Sequence, residues 1–125
     1  MIKRITIPGL REPVSHFCHV TTAGSNVWVS GLTGMKADGT IPESTVDQFD
    51  IAMDVMAQCL SAAGAGPQHV VKVVVFMTDI KERPIINPRR VTFFGEHRPA
   101  STLVEVVGLV DPRMKVEIEA HAWVE

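Results

Sequence analysis

The residue types best suited to chemistry lie together near the carboxyl end of the chain. From Lys115 to Val124, polar and apolar residues alternate, which is typical of a half-buried strand. Successive side chains of a strand point to opposite faces, so one face carries two carboxylates, a histidine and a tryptophan, namely Glu117, Glu119, His121 and Trp123. The opposite face is apolar. A face this polar does not belong in a core, and its organisation favours a site or a subunit contact.

The other reactive residue types predict no metal site and no cofactor. His16, Cys18 and His19 are close in sequence, but on a strand His19 would oppose the other two, so they do not supply three ligands on one side. Gly64-Ala65-Gly66 follows a helix rather than opening one, which does not fit a phosphate loop. Ser30-Gly31 is followed by a turn rather than a helix, which does not fit a nucleophile elbow.

The composition predicts one globular domain over residues 1–125. Hydrophobic residues make up 46% of the chain, enough to fill a core. The net charge of −2 and the absence of a basic stripe argue against a nucleic-acid partner. The longest apolar run, Val70–Met77, is broken by Lys72 and is far too short to span a membrane, and no signal peptide is recognisable. We therefore expect a cytoplasmic protein in which Cys18 and Cys59 are free thiols.

Periodicity and turn residues predict the order strand, strand, helix, strand, helix, strand, strand. The predicted elements are a hairpin of residues 16–22 and 26–31, a helix capped by Ser44 or Thr45 and stopped by Gly64 to Gly66, a strand over Val70–Thr78, a helix starting at Asn87-Pro88, and two terminal strands joined by a turn at Asp111-Pro112. The strand over Val70–Thr78 is apolar on both faces apart from Lys72, which is typical of a central strand.

Interspersed strands and helices with two hairpins predict a mixed sheet in an α+β fold. Two helices can cover only one face of a sheet of this size. The other face would expose Trp28, Trp123 and several valines, a larger apolar patch than soluble monomers usually tolerate. We therefore expect a homo-oligomer that buries this face, with ligand clefts between its subunits.

Several motifs along nearly the whole chain carry a family resemblance. They are Val29-Ser30-Gly31, Ala62-Ala63-Gly64, the run Val70–Asp79, Asn87 followed seven residues later by Phe94, Pro99-Ala100 followed by Val104-Glu105-Val106, and Lys115–Glu119. With these motifs in this order, the chain resembles the reactive intermediate deaminase (Rid, or YjgF-like) family. The resemblance implies a chorismate-mutase-like fold, a homotrimer with pockets between neighbouring subunits, and an enamine/imine deaminase activity that hydrolyses C=N intermediates with release of ammonia.

The resemblance also implies roles for individual residues. Glu117 matches the family glutamate that orients or activates the attacking water, Asn87 matches its asparagine, and the backbone near Gly31 would line the pocket. Two positions depart from the pattern. Ser101 stands where the deaminases carry an arginine that grips the substrate carboxylate, and Phe17 stands where they carry a tyrosine. A serine cannot replace a planar, permanently charged guanidinium, so the expected substrate is not a simple 2-imino acid.

Further residues are candidates for ligand contacts. Leu103 adds apolar surface where many relatives carry Cys or Thr, which favours a less polar ligand. His16 lies beside Phe17 at the expected pocket rim and could act as a general acid or base. Arg98 and Arg113 could each replace the missing arginine, although an ordinary surface position is the alternative for both. Glu117 itself, judged without the family, could be a solvated charge paired with Lys115 or His121.

These observations lead to two hypotheses. The first is a cytoplasmic homotrimer that hydrolyses an enamine, an imine or a related small metabolite, with Glu117 as the catalytic residue. The second is a trimer that binds a small metabolite without catalysis, since two pocket residues of the deaminases are absent. In both hypotheses the partners are a small-molecule ligand and further copies of the chain.

Overall fold

Six strands and two long helices make up the fold in a computed structural model that describes residues 1–125. The strands are β1 (Ile2–Ile5), β2 (Val20–Ala23), β3 (Asn26–Leu32), β4 (Val70–Met77), β5 (Ala100–Glu105) and β6 (Val116–Trp123), and the helices are α1 (Thr45–Ala62) and α2 (Arg83–Phe94). Short 3-10 turns at Pro67–His69 and Ile80–Glu82 precede β4 and α2.

All six strands belong to one sheet, in the order β1-β2-β3-β6-β4-β5. β4 runs parallel to β5, and every other neighbouring pair is antiparallel. The sheet is therefore mixed, as predicted. β2 and β3 form the predicted hairpin, whose turn contains Gly24 at a φ of 57°. Glycine adopts a positive φ readily because it has no Cβ.

The predicted strand over residues 16–22 is shorter in the structure and begins at Val20. His16 and Phe17 lie in the preceding loop, because the partner strand β1 ends opposite Val20. The alternation of polar and apolar residues over 16–22 does not show where the partner strand β1 ends. β1 itself was not predicted, since two of its four residues are basic and only Ile5 packs against the core.

The prediction that the two terminal strands form a hairpin is wrong. β6 lies between β3 and β4, and β5 lies at the sheet edge beyond β4. The chain passes from β4 through α2 to β5, and a helical crossover of this kind joins parallel strands. The chain does turn at Asp111-Pro112, where the Met114 N–H donates to the Asp111 carbonyl at 3.0 Å. The Asp111 carboxylate accepts hydrogen bonds from the backbone and guanidinium of Arg113. These bonds lower the pKa of Asp111 to about 2.

α1 has the predicted cap and apolar stripe. The Ser44 hydroxyl accepts a hydrogen bond from the Asp47 backbone N–H at 3.1 Å, which satisfies one free donor of the first turn. The buried apolar residues recur at helical spacing and pack on the sheet; they are Phe49, Ala52, Met53, Met56 and Leu60. The chain leaves α1 through Gly64, whose φ is 73°.

α2 begins at Arg83, not at Asn87 as predicted. An Asn-Pro pair is typical of a helix start, but Pro84 already occupies the first turn here, and Pro88 lies inside the helix. The carbonyl of Pro88 accepts a hydrogen bond from the Thr92 hydroxyl. As a consequence, Asn87 lies on the body of α2 rather than at its amino end.

Both helices cover one face of the sheet, and the opposite face is open. The alternation of β6 is as predicted, with Val116, Ile118, Ala120 and Ala122 buried beneath the helices. On the open face, Trp28 and Trp123 remain 42% and 49% exposed. The Trp28 ring stacks on His121 with centroids 5.0 Å apart, and His121 Nε2 lies 2.7 Å from Asn26 Oδ1. Neither helix is long and apolar enough to cross a membrane.

Candidate active site

A cavity of about 670 Å³ opens beside the bulged end of β3. The loop before β2 forms one wall, α1 forms another, and the segment before β6 closes the end. Apolar side chains dominate the lining, including those of Leu10, Phe17, Met35, Val55 and Met114. Glu117 is the acidic side chain that β6 contributes to the lining. A largely apolar concavity with one carboxylate from the sheet is suited to a small ligand that reacts at a polar group.

The Glu117 carboxylate lies against the backbone of Gly31. The register between β3 and β6 shifts between Val29 and Leu32, and this bulge brings residue 31 close to the carboxylate. An added Cβ at Gly31 would lie 2.9 Å from Cδ of Glu117 and closer still to Oε2. Only glycine therefore leaves room for the carboxylate in its observed position, which explains why Ser30-Gly31 belongs to the site without being a nucleophile motif.

The environment of Glu117 raises the pKa of its carboxyl group. Burial raises the pKa of its carboxyl group above the usual range, and the negative charge of Glu119 raises it further. No hydrogen-bond donor or cation contributes an opposing shift. A carboxylate with a raised pKa is a stronger base than an ordinary surface glutamate, so it is better suited to take a proton from water.

His19 fixes the loop that forms one wall of the cavity. It is buried, its Nδ1 accepts a hydrogen bond from the Ile7 backbone N–H at 2.9 Å, and its Nε2 lies 3.0 Å from the Arg11 carbonyl oxygen. An Nδ1 that accepts and an Nε2 that donates define the neutral imidazole. His16, the histidine predicted to lie at the pocket rim, is exposed in the same loop. Nothing local distinguishes the two histidines, because the partners of His19 are up to twelve residues away.

The predicted site residues fall into two groups in one protomer. Phe17, Gly31 and Glu117 come together at the cavity. The other predicted residues, which do not line it, are His16, Asn87, Arg98, Ser101 and Leu103.

Apart from His16, which lies in the loop before β2, the second group is centred on α2 and β5. Asn87 is exposed on α2, and Arg98 is exposed in the segment between α2 and β5. Ser101 lies on the helix-facing side of β5, where its Oγ accepts a hydrogen bond from Arg90 at 2.7 Å. Leu103 packs against the core on the same side of the strand. Arg113, the other candidate to replace the missing arginine, is engaged by Asp111.

Other charged side chains also line the cavity, from the loops and from α1, namely Arg11, Glu12, Lys36 and Asp54. The structure contains no group of three His, Cys, Asp or Glu side chains placed to hold a metal ion. Both cysteines are free, and burial raises the pKa of the Cys59 thiol to about 11, which keeps it protonated. Among the lining carboxylates, Glu117 has the raised pKa, and proton transfer by this group is the chemistry that the cavity favours.

Comparison with known proteins assigns this arrangement to a family. A sequence model of the family described as Endoribonuclease L-PSP matches residues 9–124. The 3-aminoacrylate deaminase RutC of Acinetobacter baylyi is 30% identical over 127 residues, covering 99% of this chain and 100% of that protein. A 2-iminobutanoate/2-iminopropanoate deaminase of Dermatophagoides farinae is 28% identical over 123 residues, covering 97% of this chain and 95% of the relative.

The fold agrees with that of a solved relative. The crystal structure of the YjgF gene product of E. coli superimposes with a TM-score of 0.90 at 27% identity, covering 98% of this chain and 99% of that one. This match confirms the α+β fold that the resemblance implies. The chain therefore belongs to the Rid family of YjgF-like proteins, whose family description is Endoribonuclease L-PSP.

Proposed function

We propose that the protein is a hydrolytic deaminase that acts on the C=N bond of a small imine, or of the imine that forms when an enamine moves a proton from nitrogen to carbon. The observation that carries this proposal is the half-buried Glu117 carboxylate, held against Gly31 in an apolar cavity with its pKa raised. Relatives of similar length that are named as 3-aminoacrylate and 2-iminobutanoate/2-iminopropanoate deaminases support the same reaction class.

In the proposed reaction, water adds across the C=N bond. Glu117 takes a proton from the water as its oxygen attacks the carbon, and the carboxyl group then gives that proton to nitrogen. The hydroxyl proton of the resulting carbinolamine passes to nitrogen as the C–N bond breaks, leaving a carbonyl compound and ammonia. The apolar part of the lining keeps bulk water away from the reacting carbon and strengthens the interaction between the carboxylate and the attacking water.

We propose that the complete site lies between subunits of a homotrimer in the cytoplasm. The residues that the resemblance assigns to one pocket are divided in the protomer between the cavity and the β5 edge, which is expected if one copy supplies each half. A second copy would also cover the open sheet face, where Trp28 and Trp123 are exposed. The number three comes from the family resemblance, and sedimentation should give a mass three times the 13.7 kDa of the chain.

The substrate we propose is less polar than a simple 2-imino acid. Phe17 offers a ring without a hydroxyl to the cavity, and other apolar side chains surround Glu117. Ser101 cannot itself form a bidentate contact with a carboxylate. An apolar substituent on the imine would bury surface against this lining, at roughly 25 cal/mol per Å² of apolar area.

Ammonia release from imines generated by an amino-acid oxidase tests the proposed function. The oxidase supplies a panel of 2-imino acids with small, branched and aromatic side chains, and 3-aminoacrylate provides an enamine. We expect release faster than in buffer for at least one member with an apolar side chain. Equal rates for buffer, the wild type and Glu117→Ala across the whole panel would refute the deaminase function.

A trimer that binds a metabolite without catalysis is the second candidate. β6 contributes a single carboxylate to the cavity, and neither Arg11 nor Lys36, which also line it, shifts the pKa of that carboxylate. In this case a ligand would stay bound through purification and be released chemically unchanged. Mass spectrometry of the denatured protein, together with the absence of turnover in the panel, would support this candidate.

Gly31→Ala is expected to lower the turnover of the deaminase by about 100-fold, because the added methyl group displaces the Glu117 carboxylate by about an ångström or more. Gly108→Ala is the matched control, since a Cβ at residue 108 meets no atom within 4 Å. Initial rates of ammonia release at saturating substrate measure the effect. Equal loss in both variants, or no loss in Gly31→Ala, would show that the close approach of Gly31 to Glu117 is unimportant.

A further inference from the structure

Arg90 is a half-buried cation on α2 that has no acidic partner. The three salt bridges of the chain involve Arg89, Arg113 and His97, and none involves Arg83 or Arg90. The Arg90 guanidinium instead donates from Nη2 to the Ser101 hydroxyl at 2.7 Å. A guanidinium has five N–H donors, so one hydroxyl satisfies only part of its hydrogen-bonding capacity.

Two other polar residues of α2 lie on the same face of the helix as Arg90. Arg83, Asn87 and Arg90 are spaced four and three residues apart, so they share one face of α2. Burial lowers the pKa of Arg90, and the nearby positive charge of Arg83 lowers it further. Both effects disfavour the cation, and an anion bound at this face would offset them.

We propose that Arg90 and Ser101 together bind the carboxylate of the substrate. The inference rests on the proposed deaminase function and specifies its substrate class, an imine or enamine that carries a carboxylate as well as an apolar substituent. Ser101 stands where the Rid resemblance implies an arginine on β5, and the Arg90 guanidinium reaches the Ser101 hydroxyl from α2. The Ser101 hydroxyl orients this guanidinium and leaves its other N–H groups available for a bidentate contact with a carboxylate.

The two arginines that follow Pro88 provide a matched pair for the test. Arg89 and Arg90 are adjacent on the same helix, but Arg89 Nε is bound to Asp50 Oδ1 at 2.9 Å. Arg89→Gln therefore makes the same change of charge as Arg90→Gln without touching Ser101. Any effect of net charge alone would be the same in both variants.

Equilibrium titration with isocaproate and with its neutral amide, isocaproamide, tests the anion site without requiring turnover. We expect the wild type and Arg89→Gln to bind the carboxylate about 10- to 100-fold more tightly than the amide, and Arg90→Gln to lose this preference. Arg90→Lys keeps the charge but not the planar fork, so we expect it to lose about tenfold in carboxylate affinity. If Arg90→Gln does not fold, as judged by circular dichroism, Arg90→Lys decides the result.

Several outcomes would overturn the anion site. They are a wild type without preference for the carboxylate, an Arg90→Gln variant that keeps it, and equal losses in Arg89→Gln and Arg90→Gln. Failure of the anion site can be distinguished from failure of the deaminase function. Arg90-dependent carboxylate binding without ammonia release would refute only the deaminase function. Ammonia release with the same KM for anionic substrates in Arg90→Gln and the wild type would refute only the anion site.

Discussion

Replacing Glu117 by glutamine is expected to reduce ammonia release by about 10²- to 10⁴-fold, the range typical for loss of a general base. Glutamine keeps the size of the side chain and its place against Gly31, but it cannot take a proton from water. The loss should fall on kcat, since the interaction removed is one made with the reacting water rather than with the bound substrate. Steady-state kinetics on the best substrate of the panel measure it.

Glu119→Gln is the matched control for Glu117→Gln. Glu119 lies two residues along β6 on the same face, is exposed, and does not line the cavity. The Glu119→Gln variant should retain turnover at neutral pH. Its charge is the second cause of the raised pKa of Glu117, after burial, so its removal should lower that pKa. The acid limb of the rate profile, where Glu117 becomes protonated and inactive, should therefore move to lower pH.

The raised pKa of Glu117 also predicts that this residue lowers the stability of the folded chain at neutral pH. Glu117 holds its proton more tightly in the folded chain than in the unfolded chain, so the wild type loses stability as pH rises through the ordinary glutamate pKa and then the raised one. Glu117→Gln should melt at a higher temperature than the wild type at neutral pH and at the same temperature in acid. Equal turnover in Glu117→Gln and the wild type would remove Glu117 from the reaction, whatever the melting data show.

Features encoded by short-range periodicity were predictable from the sequence. The alternation of β6 correctly placed Glu117 on the face opposite Val116 and Ile118, because side-chain direction depends only on residue parity within a strand. The cap at Ser44 and the apolar stripe of α1 were likewise local signals. The family resemblance added Gly31, whose closeness to Glu117 depends on a bulge between strands that are distant in sequence.

Features that depend on partners far away in sequence were not predictable. β5 and β6 are consecutive strands, and nothing in either shows that β4 lies between them. Arg89 and Arg90 are identical neighbours in the sequence, yet one meets Asp50 on α1 and the other meets Ser101 on β5. Which arginine approaches Ser101 follows from the rotation of α2 over the sheet, and that rotation is set by the burial of Ile86 and Phe94.

Replacing Gln48 by methionine is expected to destabilise the protein by about 3 kcal/mol, far more than a substitution at an exposed position of the same helix. Gln48 is fully buried in the first turns of α1. Its Nε2 donates to the carbonyls of Pro42 at 2.8 Å and Arg113 at 2.9 Å, and its Oε1 accepts from the Lys115 N–H at 2.8 Å. Methionine fills similar space but leaves these three backbone groups without their partner.

The contacts of Gln48 also connect stability to the site. Arg113 and Lys115 immediately precede β6, so the amide side chain fixes the segment from which Glu117 enters the cavity. We therefore expect Gln48→Met to lower turnover as well as stability. An exposed glutamine on the same helix provides the control: Gln58→Met should change the free energy of unfolding by less than about 0.5 kcal/mol.

Urea unfolding followed by circular dichroism, with all variants at one protein concentration, measures both effects on stability. The midpoint should fall in Gln48→Met with little change in the slope, since the variant buries a similar surface when it folds. A midpoint equal to that of Gln58→Met would mean that water or a shifted backbone satisfies the three groups. The start of β6, and with it the position of Glu117, would then be held by strand pairing to β3 and β4 rather than by α1.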